Sequence, residues 1–113
     1  MAYKLKLKVL WFKNFLGLGI NLVATKQQIP LTSYYFWPKT IAWEQLEFEL
    51  DSKLWLDDKE KIKILNLTTN IINYWSHYRN RDSLENIKNN FLEADFVGDG
   101  TKSSYETTSK LGL

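Results

Sequence analysis

Basic side chains recur at close spacings in three parts of this 113-residue chain. Lysines alternate with apolar residues near the N-terminus, and two further basic pairs stand two positions apart: Lys4, Lys6, Lys8, Lys61, Lys63, Arg79 and Arg81. In a strand, side chains two positions apart lie roughly 7 Å apart on one face, comparable with phosphate spacing along a nucleic-acid backbone. The spacing of these lysines therefore favours binding to the phosphates of a nucleic acid without recognition of particular bases. Lysines on an edge strand would equally protect a sheet from unwanted pairing.

The charges are divided into blocks of opposite sign, although the net charge is only +2. Residues 1–43 contain six lysines and no acid, whereas residues 44–60 contain seven acids and two lysines. Residues 61–81 contain four basic groups and no acid, and acids predominate again in residues 82–113. Such a chain can present a basic face while remaining nearly neutral. Lys13 and Lys39, in the first block, are further candidate phosphate contacts.

Four consecutive aromatic residues stand between Pro30 and Pro38. Each proline fixes its own φ and favours extended geometry at the preceding residue, so the segment is predicted to be a rigid loop. Tyr34 and Tyr35 are candidates for stacking on bases of single-stranded RNA, where each contact contributes about 1–3 kcal/mol. Burial in the core contributes a similar ~1.5–3 kcal/mol and is the favoured interpretation for Phe36, Trp37, Trp43 and Trp75.

Catalytic chemistry has few candidate residues. The chain has no cysteine and one histidine, His77, so the usual zinc ligand sets cannot be formed. Glu47 and Asp51, four positions apart, could be the acid–base pair of a small hydrolase, but acid rows on an amphipathic helix normally face solvent. We therefore expect no enzymatic activity, no cofactor, no metal site and no small-molecule substrate. No apolar run approaches the ~20 residues of a membrane helix, so no membrane partner is expected.

Hydrophobic periodicity predicts an α+β domain. A period of two from Lys4 to Trp11 and from Leu16 to Leu22 indicates an N-terminal two-stranded antiparallel hairpin with Lys13-Asn14 as its turn. Gly17 and Gly19 in the second strand indicate close approach by the following loop or by a partner. After the aromatic loop, Pro38 and Thr40 resemble a helix start, and four residues are spaced to share one helix face: Trp43, Leu46, Leu50 and Leu54.

A second, packed helix is predicted from Asp57, since Asp57 and Glu60 have the spacing of a capping box. Its apolar stripe comprises Ile64, Leu67, Ile71, Trp75 and Tyr78, widened by Ile62, Leu65 and Ile72. A weak third helix follows Asp82, and the chain is expected to loosen after Asp95 into an extended C-terminal tail. We therefore expect a core of hairpin and two helices in residues 1–80, with the weak helix and a lineage-specific tail in residues 81–113.

Three segments resemble those of a known family: Pro30-Leu31-Thr32-Ser33-Tyr34-Tyr35-Phe36-Trp37-Pro38, Ala42-Trp43-Glu44-Gln45-Leu46 and Ile72-Asn73-Tyr74-Trp75. Together they resemble the third plastid-specific ribosomal protein family, of the small ribosomal subunit in chloroplasts and cyanobacteria. The resemblance runs from about Leu10 to Tyr78. It implies a non-catalytic protein that packs on small-subunit ribosomal RNA and on neighbouring small-subunit ribosomal proteins.

The expected function is structural: the protein braces ribosomal RNA in the small subunit of a plastid ribosome, in the chloroplast stroma. Thirteen lysines against two arginines, with nine asparagines and eight isoleucines, agree with A+T-rich coding and hence with a plastid gene. The alternative is a protein-interaction adaptor that docks through the aromatic loop without binding RNA directly. Salt would distinguish the two, because phosphate binding weakens steeply with salt and apolar docking does not.

Overall fold

The computed structural model describes residues 3–79 and 84–98, which form a sheet with helices packed against its apolar face. The strands are β1 (Lys4–Trp11), β2 (Leu16–Ala24), β3 (Gln27–Pro30), β4 (Tyr35–Trp37) and β5 (Ala94–Gly98), and the helices are α1 (Ala42–Asp51), α2 (Asp58–Tyr78) and α3 (Leu84–Asn90). The predicted α+β class is confirmed. The expected tail beyond residue 98 lies outside the described residues.

The N-terminal hairpin forms as its period of two predicts. β1 and β2 pair antiparallel from Lys4 opposite Val23 to Trp11 opposite Leu16, with a bend at Lys13 and Asn14. Alternate side chains of both strands are buried under the helices: Leu7, Val9, Trp11, Leu16, Leu18 and Ile20. We call this side of the sheet the core face. The other side, which carries the strand lysines and Gly17 and Gly19, is the outer face.

The aromatic segment, predicted as a loop, contains the short strand β4, and β3 lies directly before it; both pair with the same edge of β2. β3 pairs with the end of β2, and β4 pairs with its beginning. Between them, the carbonyl oxygen of Ile20 accepts hydrogen bonds from the backbone N–H of Leu31, at 2.9 Å, and of Thr32, at 3.1 Å. The Thr32 hydroxyl in turn accepts from the Ile20 N–H, at 3.0 Å. Pro30 ends β3 and Pro38 follows β4, positions that an edge strand tolerates.

The two glycines of β2 leave room for rings from this segment. A Cβ placed on Gly17 would lie 3.0 Å from the Phe36 ring, and one on Gly19 would lie 3.1 Å from the Tyr34 ring. Few real Cβ atoms lie this close to a neighbour. The predicted close approach of the following loop is therefore confirmed, and it takes place on the outer face.

Helix α1 is shorter than predicted. It begins at Ala42 after Ile41, which provides no side-chain cap, while the Thr40 hydroxyl donates to the Phe36 carbonyl oxygen at 2.9 Å. Leu46 and Leu50 are buried, as expected. Leu54 was expected to share their face, but it is 93% exposed because the helix ends at Asp51.

Helix α2 begins with the predicted aspartate cap. Asp57 Oδ1 accepts a hydrogen bond from the Lys59 N–H at 3.1 Å. In a capping box, the Glu60 side chain would accept a hydrogen bond from the Asp57 N–H. Here the Tyr3 hydroxyl accepts that bond instead, at 2.9 Å. The predicted stripe is buried at Ile64, Leu65, Ile71, Ile72 and Trp75, with Thr68 buried beside it. Leu67 is only half-buried, and Tyr78, also expected in the stripe, is 41% exposed at the end of the helix. Ile62 was expected to widen the stripe, but its side chain is exposed. Residues two positions apart lie on nearly opposite sides of a helix, so Ile62 faces away from the buried Ile64.

The chain does not loosen after Asp95. The weak third helix is confirmed as α3, with Leu84 and Ile87 buried, and β5 then pairs parallel to β1 from Ala94 opposite Leu7 to Gly98 opposite Trp11. The sheet order is β3-β2-β1-β5, with β4 also on β2. Most of β1 is thus internal, so its lysines do not guard an edge there, and the edge-protection interpretation is wrong for Lys8.

Candidate nucleic-acid interface

The lysines of β1 share the outer face, but two of them have an acidic partner in the fold. Asp95 of β5 lies beside β1, with its Oδ1 3.4 Å from Lys6 Nζ and its Oδ2 3.1 Å from Lys8 Nζ. Lys4, three residues before the β1–β5 pairing begins at Leu7, is exposed and has no ion pair within the described residues. The strand lysines are therefore one free cation and two that share a carboxylate.

A groove of about 710 Å³ lies between β1 and α2 at the beginning of both elements. Lys63 of α2 lines it together with Lys4 and Lys6 of β1, and the amides of Asn66 and Asn70 line it as well. Three acids are also present: Glu60, Glu93 and Asp95. The fold thus gathers cations from two of the three predicted regions, in a groove of mixed charge.

A second group of cations lies at the opposite end of the sheet, which we call the turn end because it carries the Lys13-Asn14 turn. Lys13 and Lys39 are exposed there, and Lys39 lines a cavity with Asn14. The Arg79 guanidinium lies 4.7 Å from the centre of the Trp75 ring, whose indole N–H donates to the Phe12 carbonyl oxygen at 2.7 Å. These contacts place the end of α2 beside the turn.

Lys61 faces away from Lys63 because the two stand two positions apart on a helix. Its ammonium lies 3.0 Å from Asp58 and 3.5 Å from Asp51. The hydrogen bond to Asp58 raises the pKa of Lys61, and Asp51 acts in the same direction. Lys61 therefore links the end of α1 to the start of α2, and Asp51, a candidate catalytic acid, is its partner. Arg81 lies outside the described residues.

The two tyrosines have different environments. The Tyr35 hydroxyl donates to the carboxylate of Glu49 on α1, and this hydrogen bond, with burial, raises the pKa of Tyr35. Tyr35 is half-buried on the core face. Tyr34 is exposed, and its ring lies over Gly19 on the outer face. Of the two, Tyr34 alone presents an exposed ring for stacking.

The four aromatic residues expected in the core are likewise found on both faces of the sheet. Trp75 is buried, while Trp37 and Trp43 are half-buried against the core, and the Trp43 indole donates to the Leu65 carbonyl oxygen at 3.2 Å. Phe36 lies on the outer face and is 38% exposed, so its assignment to the core is wrong. A period of two along β4 would have predicted this, since neighbours in a strand face opposite sides.

Within residues 3–79 and 84–98, no group of three or more metal-ligating side chains could hold an ion. The Nδ1 atom of His77 lies 2.9 Å from the Asn73 carbonyl oxygen, a contact within one turn of α2. No helix in the same residues is both long and apolar enough to span a bilayer.

Comparison with known proteins gives the class of the molecule. The chain is 42% identical over 95 residues to the small ribosomal subunit protein cS23 of Gracilaria tenuistipitata var. liui, covering 84% of this chain and 96% of that protein. It is 46% identical over 74 residues to the probable small ribosomal subunit protein cS23 of Synechococcus sp. (strain JA-3-3Ab), covering 66% and 75%. With the cS23 protein of Mesostigma viride it shares 35% identity over 103 residues, covering 91% and 84%.

These relatives define a structural, non-enzymatic protein of the small ribosomal subunit. Residues 31–78 match the model of the family described as plastid and cyanobacterial ribosomal protein (PSRP-3 / Ycf65), and the chain belongs to this family. The family resemblance noted in the sequence, the absence of enzymatic function and the location in the small subunit of plastid-type ribosomes are thereby confirmed.

Proposed function

We propose that this protein braces small-subunit ribosomal RNA through lysine and arginine contacts to phosphates and packs against neighbouring ribosomal proteins. The observation that carries the proposal is the turn end, where the Lys13 turn, the Lys39 loop and the C-terminal end of α2 with Arg79 lie at the same end of the sheet. Lys13 and Lys39 are exposed and have no ion pair within the described part of the chain. Cations that the fold leaves without acidic partners are available to a polyanion.

The groove supplies a second contact region. Lys4 and Lys63 are exposed there, and Lys6, which also lines the groove, has its charge partly compensated by Asp95. β1 is eight residues long, so the two regions stand roughly 25 Å apart, a distance that phosphates several nucleotides apart would span. Two contact regions would fix the orientation of the protein on a folded RNA without reading sequence.

Neutralising the turn-end lysines tests the proposal. The double variant Lys13→Gln/Lys39→Gln removes two candidate contacts, and Lys26→Gln/Lys59→Gln removes the same charge at exposed lysines outside the candidate set. We expect the first variant to reduce the slope of log affinity for plastid small-subunit ribosomal RNA against log salt by roughly 1 per lysine. The control should keep the wild-type slope. Equal slopes in all three proteins, or no binding at low salt, would contradict RNA bracing.

A protein-interaction adaptor is the second candidate, and exposed apolar side chains support it. Phe48 is 76% exposed on α1, and Leu54 and Trp55 are exposed in the α1–α2 connection, so apolar exposure extends beyond the aromatic segment through which docking was predicted. Isolated protein that fails to bind RNA, combined with comigration with small subunits after a high-salt wash, would favour the adaptor.

A further inference from the structure

The outer face at the turn end carries rings that no described element covers. The helices pack against the core face, while Phe15 is 36% exposed and Phe36 is 38% exposed on the other side. Their ring centres are 5.7 Å apart in an edge-to-face arrangement, and the Phe12 ring lies 4.7 Å from that of Phe15. Each ring is held by its neighbours, so the rings form a preordered apolar surface.

The Phe15 and Phe36 rings line a cavity of about 430 Å³, which we call the turn-end cavity. Its lining is Asn14, Phe15, Phe36, Pro38 and Lys39. The lining combines two aromatic rings and a proline ring with one amide and one ammonium, and it contains no acid. Lys13 adds a second exposed cation next to Asn14 in the chain.

We infer that the turn-end cavity binds one unpaired base of an RNA strand, with the base stacked on Phe36 and Lys39 on a neighbouring phosphate. This inference rests on the proposed function and deepens it. Aromatic side chains receive unstacked bases in single-stranded RNA sites, and an uncovered sheet face is a known platform for such stacking. The Asn14 amide has both donors and an acceptor, which suit the hydrogen-bonding edge of a base.

The composition of the cavity favours RNA over a protein partner. Lysine is depleted in protein–protein interfaces, and here lysine lines the cavity itself. All the formal charge at the site is positive, which complements a phosphate next to the bound base. The sequence pointed to Tyr34 and Tyr35 as the stacking residues. Tyr34 keeps an exposed ring but does not line this cavity, and the Tyr35 hydroxyl is engaged with Glu49, whereas Phe36 lines the cavity beside a cation.

The test compares two RNA probes and four proteins. The probes are a ten-nucleotide single-stranded RNA with 2-aminopurine at its centre and a fully paired RNA duplex. The proteins are the full wild-type chain, Phe36→Leu, Phe36→Tyr and the control Phe48→Leu, which alters an exposed phenylalanine on α1 with no role in the cavity. Leucine keeps an apolar side chain but removes the flat ring, whereas tyrosine keeps the ring.

We expect wild type, Phe36→Tyr and Phe48→Leu to bind the single strand alike and to quench 2-aminopurine fluorescence by stacking. Phe36→Leu should bind it about 5- to 100-fold more weakly, while binding the duplex as tightly as wild type. If Phe36→Leu keeps both the wild-type affinity for the single strand and the quenching, the base-stacking inference is overturned. In that case, binding to the duplex would still support RNA bracing. If wild type binds neither probe at low salt, the proposed function fails and the inference fails with it.

Discussion

The indole N–H of Trp75 donates a 2.7 Å hydrogen bond to the carbonyl oxygen of Phe12, joining residues 63 positions apart. Trp75 is 2% exposed near the end of α2, and Phe12 directly follows β1. The bond fixes the end of the helix to the turn end of the sheet. Because Arg79 lies against the same indole, the bond also positions a cation.

Replacing Trp75 with phenylalanine should destabilise the protein by about 1–3 kcal/mol, since the Phe12 carbonyl loses its donor and the smaller ring leaves a void. The free energy of unfolding in urea measures the loss. Trp55→Phe is the matched control, because Trp55 is exposed and should cost no more than about 0.5 kcal/mol. Equal losses in the two variants would contradict a special role for the buried indole.

Replacing Asp95 with asparagine should strengthen RNA binding under the proposed function. It removes the carboxylate shared by Lys6 and Lys8 and leaves both ammonium groups available to phosphates. The salt dependence should steepen by up to roughly 1 per released lysine. Glu85→Gln, at an exposed position of α3, makes the same change in net charge and should leave the slope unchanged. A steeper slope in both variants would indicate a general charge effect.

Replacing Gly19 with alanine should destabilise the protein by about 1 kcal/mol, because the new methyl group would lie 3.1 Å from the Tyr34 ring and displace it. A double-mutant cycle with Tyr34→Ala checks the cause. The cost of Gly19→Ala should largely disappear once the ring is absent. A cost unchanged by Tyr34→Ala would mean that the strand itself, not the ring, requires glycine.

The hydrogen bond between Tyr35 and Glu49 predicts a dependence of stability on alkaline pH. Because the pKa of Tyr35 is raised in the folded state, its contribution is complete below the ordinary tyrosine pKa of about 10 and is lost as pH rises through the higher folded value. Tyr35→Phe should therefore cost about 1 kcal/mol at pH 7 and progressively less above pH 10. Urea unfolding at several pH values measures this difference. A difference between wild type and Tyr35→Phe that stays constant across this pH range would contradict the prediction.

Local patterns in the sequence predicted the hairpin, the aspartate cap and the buried stripe of α2, because each depends on residues within a few positions. β5 was missed because it has only five residues, and its pairing partner lies 87 positions away. The acidic partner of Lys6 and Lys8 was missed for the same reason. Ile62 and Leu54 were misplaced because apolar residues also occur on exposed faces, where spacing alone does not distinguish them.

The turn end was only partly predictable. Lys13 and Lys39 were candidates from charge alone, but their proximity to Phe15 and Phe36 depends on how β4 lies against β2. The proline-bounded run suggested a loop, and a loop gives no alternation from which to assign faces. Once Phe36 is opposite Gly17 in a strand pair, its outward direction follows.

The parallel pairing of β1 with β5 has a consequence for biosynthesis. β1 is translated before its parallel neighbour, which is complete only when residues 94–98 have been made. A nascent chain can form the hairpin early, but it cannot complete the sheet until Gly98 has emerged from the ribosome. Until then the positive charges of Lys6 and Lys8 are not compensated by Asp95 and face the RNA-rich surface of the translating ribosome.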